Sequence, residues 1–206
     1  MISFREIMKG IIIQKGRGNF ITPEDFGNKI SSASLRTELV NFNNSHYLIH
    51  VARGLYFFPH IGSDRKVIKP TIYDVVRYVE DSTRSTIHPT IESACKLVGL
   101  NSTNLSTMEF YTTGSPKKIN LSFGPELLFK TIKKTDKFTT FKSLKIRILV
   151  TAYMSIDNKQ ITQDQKDIMN KFCSSMDYDD IALDLQNLPE WLKDNMSFPK
   201  PINENE

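Results

Sequence analysis

The sequence predicts an α+β protein in two parts, and three observations carry that prediction. Apolar residues recur at helical spacing up to residue 42, period-two alternation about a Gly turn follows over 47–58, and beyond a polar stretch at 61–66 the pattern restarts with helices and then short strands. With 206 residues, 39% hydrophobic and 24% charged, the chain can bury a core and has the size of one large or two small domains.

Phe4, Ile7, Met8 and Ile11 fall at i, i+3, i+4 and i+7, one face of a first helix that Gly16-Arg17-Gly18 ends. Thr22-Pro23-Glu24-Asp25-Phe26 supplies an N-cap, a proline at the first helical position and two acids beside the positive end of the dipole, so a short second helix is expected. Ser31-Ser32 caps a third, whose stripe Leu35, Leu39 and Phe42 runs to Asn43-Asn44-Ser45, residues that tolerate a left-handed cap. Tyr47, Ile49 and Val51 then alternate with Leu48, His50 and Ala52, and Arg53-Gly54 turns the chain into Leu55-Tyr56-Phe57-Phe58, a β-hairpin. Three short helices and a hairpin are the order of a winged helix-turn-helix over residues 1–62; a small α+β protein-interaction module is the alternative.

Ile61-Gly62-Ser63-Asp64-Arg65-Lys66 reads as a linker, and Pro70 opens a second, mixed α/β part over residues 70–206. Ile72, Val75, Val76 and Val79 share one helical face; Ile91, Ala94, Cys95 and Val98 share another, between His88-Pro89-Thr90 and Gly99. Met108 to Thr112, Ile119 to Phe123 and Leu127 to Ile132 are separated by Gly-Pro-type turns, which predicts a small antiparallel sheet. Leu144 to Tyr153 reads as an apolar helix, and Thr162-Gln163-Asp164-Gln165 caps another carrying Ile168, Met169 and Phe172. An acidic helical end with Ile181, Leu183, Leu185, Leu188, Trp191 and Leu192 either folds back on the core or docks a partner, and the chain from Phe198 reads as a frayed tail.

The formal charge of +4 conceals a gradient. Residues 1–69 carry ten Lys/Arg against five Asp/Glu and residues 70–150 twelve against seven, whereas residues 151–206 carry five against eleven. A cationic excess with no membrane-type amphipathic segment points to polyanions, nucleic acid first, with a merely solvated surface as the alternative. If Leu35, Leu39 and Phe42 face inward, the opposite face of the third helix presents Ser34, Arg36, Thr37 and Asn41, with Asn44 near its end. Arg reads guanine O6 and N7, Asn reads adenine, and Ser or Thr suits a base or a phosphate. Lys29 and Ser32 stand where phosphate contacts position such a helix. Arg53 at the hairpin tip and Arg17 between two glycines are further phosphate candidates. A second basic surface is expected around Lys117, Lys118, Lys130, Lys133 and Lys134, since nine basic residues face only Glu126 and Asp136 between Lys117 and Arg147.

Several classes lose their warrant. No Gly-rich phosphate loop, His-Glu-x-x-His or Gly-x-Ser-x-Gly occurs, so neither a catalytic residue nor a cofactor is expected. Cys95 and Cys173 are too few for a disulfide framework or a four-thiolate zinc site and read as reduced, buried thiols. His46 and His50 would share a strand face, but no further ligands follow at suitable spacing, so no metal is expected. No apolar run approaches a membrane span and the N-terminus lacks a signal-peptide layout, so a cytoplasmic protein without a membrane partner is expected.

Val51-Ala52-Arg53-Gly54-Leu55-Tyr56 resembles the "VARG(I/L)Y" signature of the AbiE-system (AbiEi-like) antitoxins, the antitoxins and transcriptional regulators of type IV toxin–antitoxin operons in abortive-infection phage defence. Phe20-Ile21-Thr22-Pro23-Glu24-Asp25-Phe26 resembles that family's start of helix two, and His88-Pro89-Thr90 through Leu97-Val98-Gly99-Leu100 its "P(S/T)…A…LGL" segment. Phe110-Tyr111-Thr112-Thr113-Gly114-Ser115-Pro116-Lys117-Lys118 is similar to its "YLTDGPSR" strand and turn. The likeness runs over about residues 4–135 and departs from the family at three places. His46 stands where a Gly is usual after helix three, Thr113 replaces an Asp, and Lys117-Lys118 keeps a charge but loses the bidentate Arg fork. The resemblance implies a winged helix that binds inverted repeats in its own promoter and represses it, with a dimer on DNA left open. It also implies a C-terminal domain that counteracts a nucleotidyltransferase toxin without a tight complex. Arg53 is the one DNA-contact residue that the signature itself marks. The alternatives are a protein-interaction adaptor or a stand-alone winged-helix regulator with no toxin partner.

Overall fold

The computed structural model describes residues 3–29, 32–132, 141–156 and 160–201, without the side chains of residues 28, 29 and 32. The protein is mixed α+β and divides into two compact units, one of Met1–Tyr78 with Ile119–Glu126, the other of Val79–Lys118 with Leu127–Glu206.

In the first unit, helix α1 (Phe4–Lys15) opens on a capping box: the Glu6 amide donates to Ser3 Oγ and the Ser3 amide donates back to the Glu6 carboxylate at 2.8 Å. These bonds to the charged form hold the Glu6 carboxyl below the usual carboxylate range. Met8 and Ile12 are the residues fully buried, with Phe4 and Ile11 packed beside them, so the inward face is rotated from the expected one and Ile7 is exposed. Strand β1 (Asn19–Ile21) follows the Gly16-Arg17-Gly18 turn, and the expected second helix is a 3-10 helix (Pro23–Lys29) broken at Gly27. Asp25 explains the tight start, since its carboxylate accepts the Thr22 amide at 2.7 Å and binds the Lys15 ammonium.

Helix α2 (Ser32–Asn44) buries Leu35, Leu39 and Phe42, the stripe its spacing predicts. Its left-handed residue is His46 (φ 56), not the Asn43-Asn44-Ser45 stretch. The His46 amide donates to the Asn43 carbonyl and the Tyr47 amide to the Phe42 carbonyl, the paired bonds of a Schellman turn. Strands β2 (Ile49–Ala52) and β3 (Leu55–Phe58) form the expected hairpin around Gly54 (φ 70), with a register shift between His50 and Ala52. Strand β1 pairs antiparallel with the other side of β3, giving the order β1-β3-β2; every residue of β3 is buried, Tyr56 and Phe58 in the core beneath the helices and Phe57 against the Phe20 ring. Ser122 closes the outer edge of β2, its amide donating to the Val51 carbonyl and its hydroxyl to the His50 carbonyl. The expected linker at 61–66 is the turn of a further hairpin, β4 (His60–Ile61) with β5 (Val67–Ile68), drawn tight by the Gly62 amide on the Lys66 carbonyl.

Helix α3 (Ile72–Thr83) crosses the boundary between the units and buries Val75, Val76 and Val79. The second unit continues with β6 (Ile87–Pro89), α4 (Ile91–Val98), β7 (Thr107–Thr112), β8 (Lys117–Asn120) and β9 (Glu126–Thr131). The sheet order is β6-β7-β9-β8, with Met108, Phe110, Leu127 and Phe129 turned inward and the Phe110 and Phe129 rings stacked at 5.4 Å. Thr90 caps α4 and Gly99 (φ 97) ends it; Ser93 is buried in place of the expected Ile91 because its hydroxyl accepts the Glu109 amide. Helix α5 (Leu144–Tyr153) packs on α4 and β6 and is buried almost all round. Helices α6 (Gln163–Ser174), α7 (Tyr178–Leu185) and α8 (Glu190–Lys193) complete the unit. The acidic end folds back within it: the Asp184 carboxylate accepts the amides of Lys142 and Ser143 ahead of α5, and Trp191 lies 4.6 Å from the Tyr153 ring.

Candidate nucleic-acid interface

A helix that buries Leu35, Leu39 and Phe42 must show its other side to water. On α2 the centre of that side is Ala33, Thr37, Val40 and Asn44 at i, i+4, i+7 and i+11, flanked by Ser34 and Asn41 on one edge and Arg36 on the other. All are exposed except Asn41, which is half-buried. Thr37 returns its hydroxyl to the Ala33 carbonyl at 3.1 Å, and Asn41 donates its amide to Glu38 at 3.2 Å, leaving its own carbonyl oxygen as the acceptor. Val40, at 45% exposure, sits among these polar groups, an apolar residue outside the buried stripe that its residue type alone does not mark as a contact. On this face it offers an apolar contact of the kind a thymine methyl takes.

Arg36 and Arg53 form neither a hydrogen bond nor an ion pair among the described residues. Arg36 lies within electrostatic reach of the buried Tyr56 hydroxyl on β3: burial raises that hydroxyl's pKa and the guanidinium pulls it partly back. Arg53 stands exposed at the tip of the β2–β3 turn. Arg17 differs from the expectation of an unengaged cation. Its guanidinium donates to the Pro59 carbonyl at 2.7 Å and lies 4.5 Å from the Phe58 ring centroid, so only its remaining donors are available to a phosphate. The side chains of Lys29 and Ser32 lie outside the described residues.

The second basic surface is brought together only in part. Lys117 and Lys118 are exposed on β8, the edge strand of the four-stranded sheet, where lysine also discourages edge-to-edge pairing. Lys130 on β9 is bound to Glu109 at 2.6 Å, and Lys133 and Lys134 lie outside the described residues. Arg147, counted in the basic stretch, is no surface group at all: it is buried at 1% exposure.

Both cysteines are free thiols; burial pushes Cys173 up to about 12, which keeps it protonated, and Cys95 donates to the Ser155 hydroxyl. Among the described residues no group of three or more His, Cys, Asp or Glu could hold a metal ion, and no helix is long and apolar enough to cross a membrane.

The molecule is thus an α+β protein whose first unit offers a polar helix face and an arginine-tipped hairpin. It belongs to the family of unknown function DUF6088, whose model matches residues 7–181. Comparison with curated proteins and with solved structures finds no match.

Proposed function

We propose that this protein is a DNA-binding antitoxin and transcriptional autorepressor, its first unit a winged helix-turn-helix that reads operator inverted repeats. The observation that carries the reading is α2 itself: a helix with one buried stripe and one exposed face of Thr37, Val40, Asn44, Ser34, Asn41 and Arg36, followed at once by a hairpin tipped by Arg53. The order α1, β1, 3-10 helix, α2, β2, β3 supports it, because there the helix before the hairpin enters the major groove and the hairpin follows the backbone. In this arrangement Arg36, Thr37, Val40 and Asn41 meet base edges, and Ser34, Arg53, Lys29, Ser32 and the remaining donors of Arg17 meet phosphates. The resemblance to AbiE-system antitoxins supports the second half of the reading, in which residues 70–206 counteract a nucleotidyltransferase toxin.

The test is a mobility-shift titration on a duplex taken from just upstream of the start codon. Binding should weaken steeply with salt. Arg36→Ala should lose about 1–3 kcal/mol of discrimination at its base pair, while Arg53→Ala lowers affinity on every sequence and reduces the salt slope by about one. No retardation at low salt, or two variants that bind like the wild type, would overturn the assignment. Co-expression with a nucleotidyltransferase toxin encoded alongside should restore growth, and persistent toxicity would remove the antitoxin role.

A further inference from the structure

A second site lies within the first unit and is lined by none of the residues given to base reading. Arg5 and Lys9 on α1, Arg17 after it, Phe42, Ser45, His46 and Tyr47 at the end of α2, and Pro59, Ile61 and Val67 of the β4–β5 hairpin line a cavity of about 330 Å³. That volume falls in the range of small-molecule sites. Two of its three cations stand one turn apart on α1 and the third follows the helix, and each is steadied by an aromatic ring: Arg5 lies 5.5 Å from the Phe42 centroid, Lys9 5.7 Å from Tyr47 and Arg17 4.5 Å from Phe58. Rings that fix long side chains remove part of the ordering cost of binding.

The charges around this cavity do not balance. No carboxylate lines it among the described residues. Two acids stand near the cations without lining the cavity: Glu38 Oε2 is 3.8 Å from Arg5 Nε, beyond hydrogen-bond reach, and the exposed Glu6 carboxylate lies within electrostatic reach of Lys9. Lys9 has the Tyr47 ring and no ion pair among the described residues. Two partial counter-charges against three cations leave an excess of more than about one, which a doubly charged head neutralises more completely than a single carboxylate does. The lining also includes apolar groups open to water, with Ile61 at 54% and Val67 at 44% exposure, so the ligand has an apolar body as well.

We infer that this cavity binds a small organic phosphate monoester, its head on Lys9, Arg5 and Arg17 and its body against Pro59, Ile61 and Val67. Phosphodiester groups of a DNA backbone share part of that chemistry, so the experiment separates the two sources. Phenyl phosphate is titrated into the full chain by calorimetry, with phenol and inorganic phosphate as controls. Phenyl phosphate should bind saturably, phenol should not, and inorganic phosphate should bind more weakly. Lys9→Gln, which removes one exposed ammonium, should weaken phenyl phosphate about tenfold with an unchanged melting temperature. Arg36→Ala and Arg53→Ala should leave that affinity as it is. The inference is overturned if phenol binds as well as phenyl phosphate, if nothing binds, or if Lys9→Gln binds like wild type. It is equally overturned if Lys9→Gln weakens duplex DNA while leaving phenyl phosphate unaffected. None of these outcomes bears on whether Arg36 meets a base and Arg53 a phosphate of DNA.

Discussion

Arg147 in the second unit and the pair Arg36 and Arg53 in the first carry one charge type in opposite circumstances. Arg147 is buried and every arm is occupied: Nε donates to the Ile87 carbonyl, Nη1 to those of Phe141 and Lys142, and Nη2 to Glu80. Arg36 and Arg53 are exposed and have no ionic partner among the described residues. A buried guanidinium survives only when fully paired, because desolvation costs several kcal/mol per ion, whereas an exposed one can wait for an anion from outside. Arg147 therefore joins α5 to β6 and α3, and the exposed pair is free for a ligand.

The comparison is broken most severely by Arg147→Met. It leaves the half-buried Glu80 carboxylate with the Ile87 amide as its donor and no opposite charge against it, and we expect a loss of about 3–5 kcal/mol in urea unfolding. Burial already raises the Glu80 pKa, with Arg147 holding it back. Without Arg147 the carboxyl takes up a proton more readily, so the variant's deficit should shrink at acid pH and when Glu80→Gln is added. Arg53→Ala, by contrast, should move stability by less than about 0.5 kcal/mol. Equal losses for Arg147→Met and Arg53→Ala would remove the distinction between clamp and contact.

A smaller effect sharpens the same contrast through pH. His88, on β6 beside the clamp, is lowered from its ordinary 6.5 to about 4, first by burial and then by the Arg147 charge. The unfolded chain therefore takes up this proton before the folded one does. Stability is held above pH 6.5 and declines as pH falls from 6.5 toward about 4, where the folded imidazole also protonates. Carboxylates titrate nearby, so the measurement is the difference in urea midpoint between wild type and His88→Gln. That difference should change across this window, and a constant one would mean that His88 is not the group responsible.

The sequence showed most of what periodicity controls and little of what tertiary pairing controls. The stripe Leu35, Leu39, Phe42, the hairpin about Arg53-Gly54, the cap Thr162 and the helix 144–153 are all local patterns, and the structure has each of them. Strands β1 and β6 escaped notice because three residues are too few to alternate, and each depends on its partner strand. Arg147 looked like surface because nothing local says that Glu80 and Ile87, far away in the chain, will meet it. The candidate DNA face was legible once the stripe was, apart from Val40. The cavity was not, since Arg5, Lys9, Arg17, His46 and Val67 come together only through the turn after α2 and the hairpin β4–β5.

The smallest expected effect concerns that turn. His46 holds φ 56, a conformation in which a side-chain-bearing residue is strained by about 1–2 kcal/mol. Glycine there relieves the strain but gives the unfolded chain more freedom, a cost of about 0.5–1 kcal/mol. His46→Gly should therefore stabilise the first unit by up to about 1 kcal/mol, read as a higher urea midpoint with an unchanged slope. The same substitution removes an imidazole from the cavity wall without touching its three cations, so phenyl phosphate should still bind it. If the variant is instead destabilised, the His46 ring contributes packing that outweighs the backbone strain. Loss of phenyl phosphate binding in a stabilised variant would move the phosphate contact from Lys9 to the imidazole.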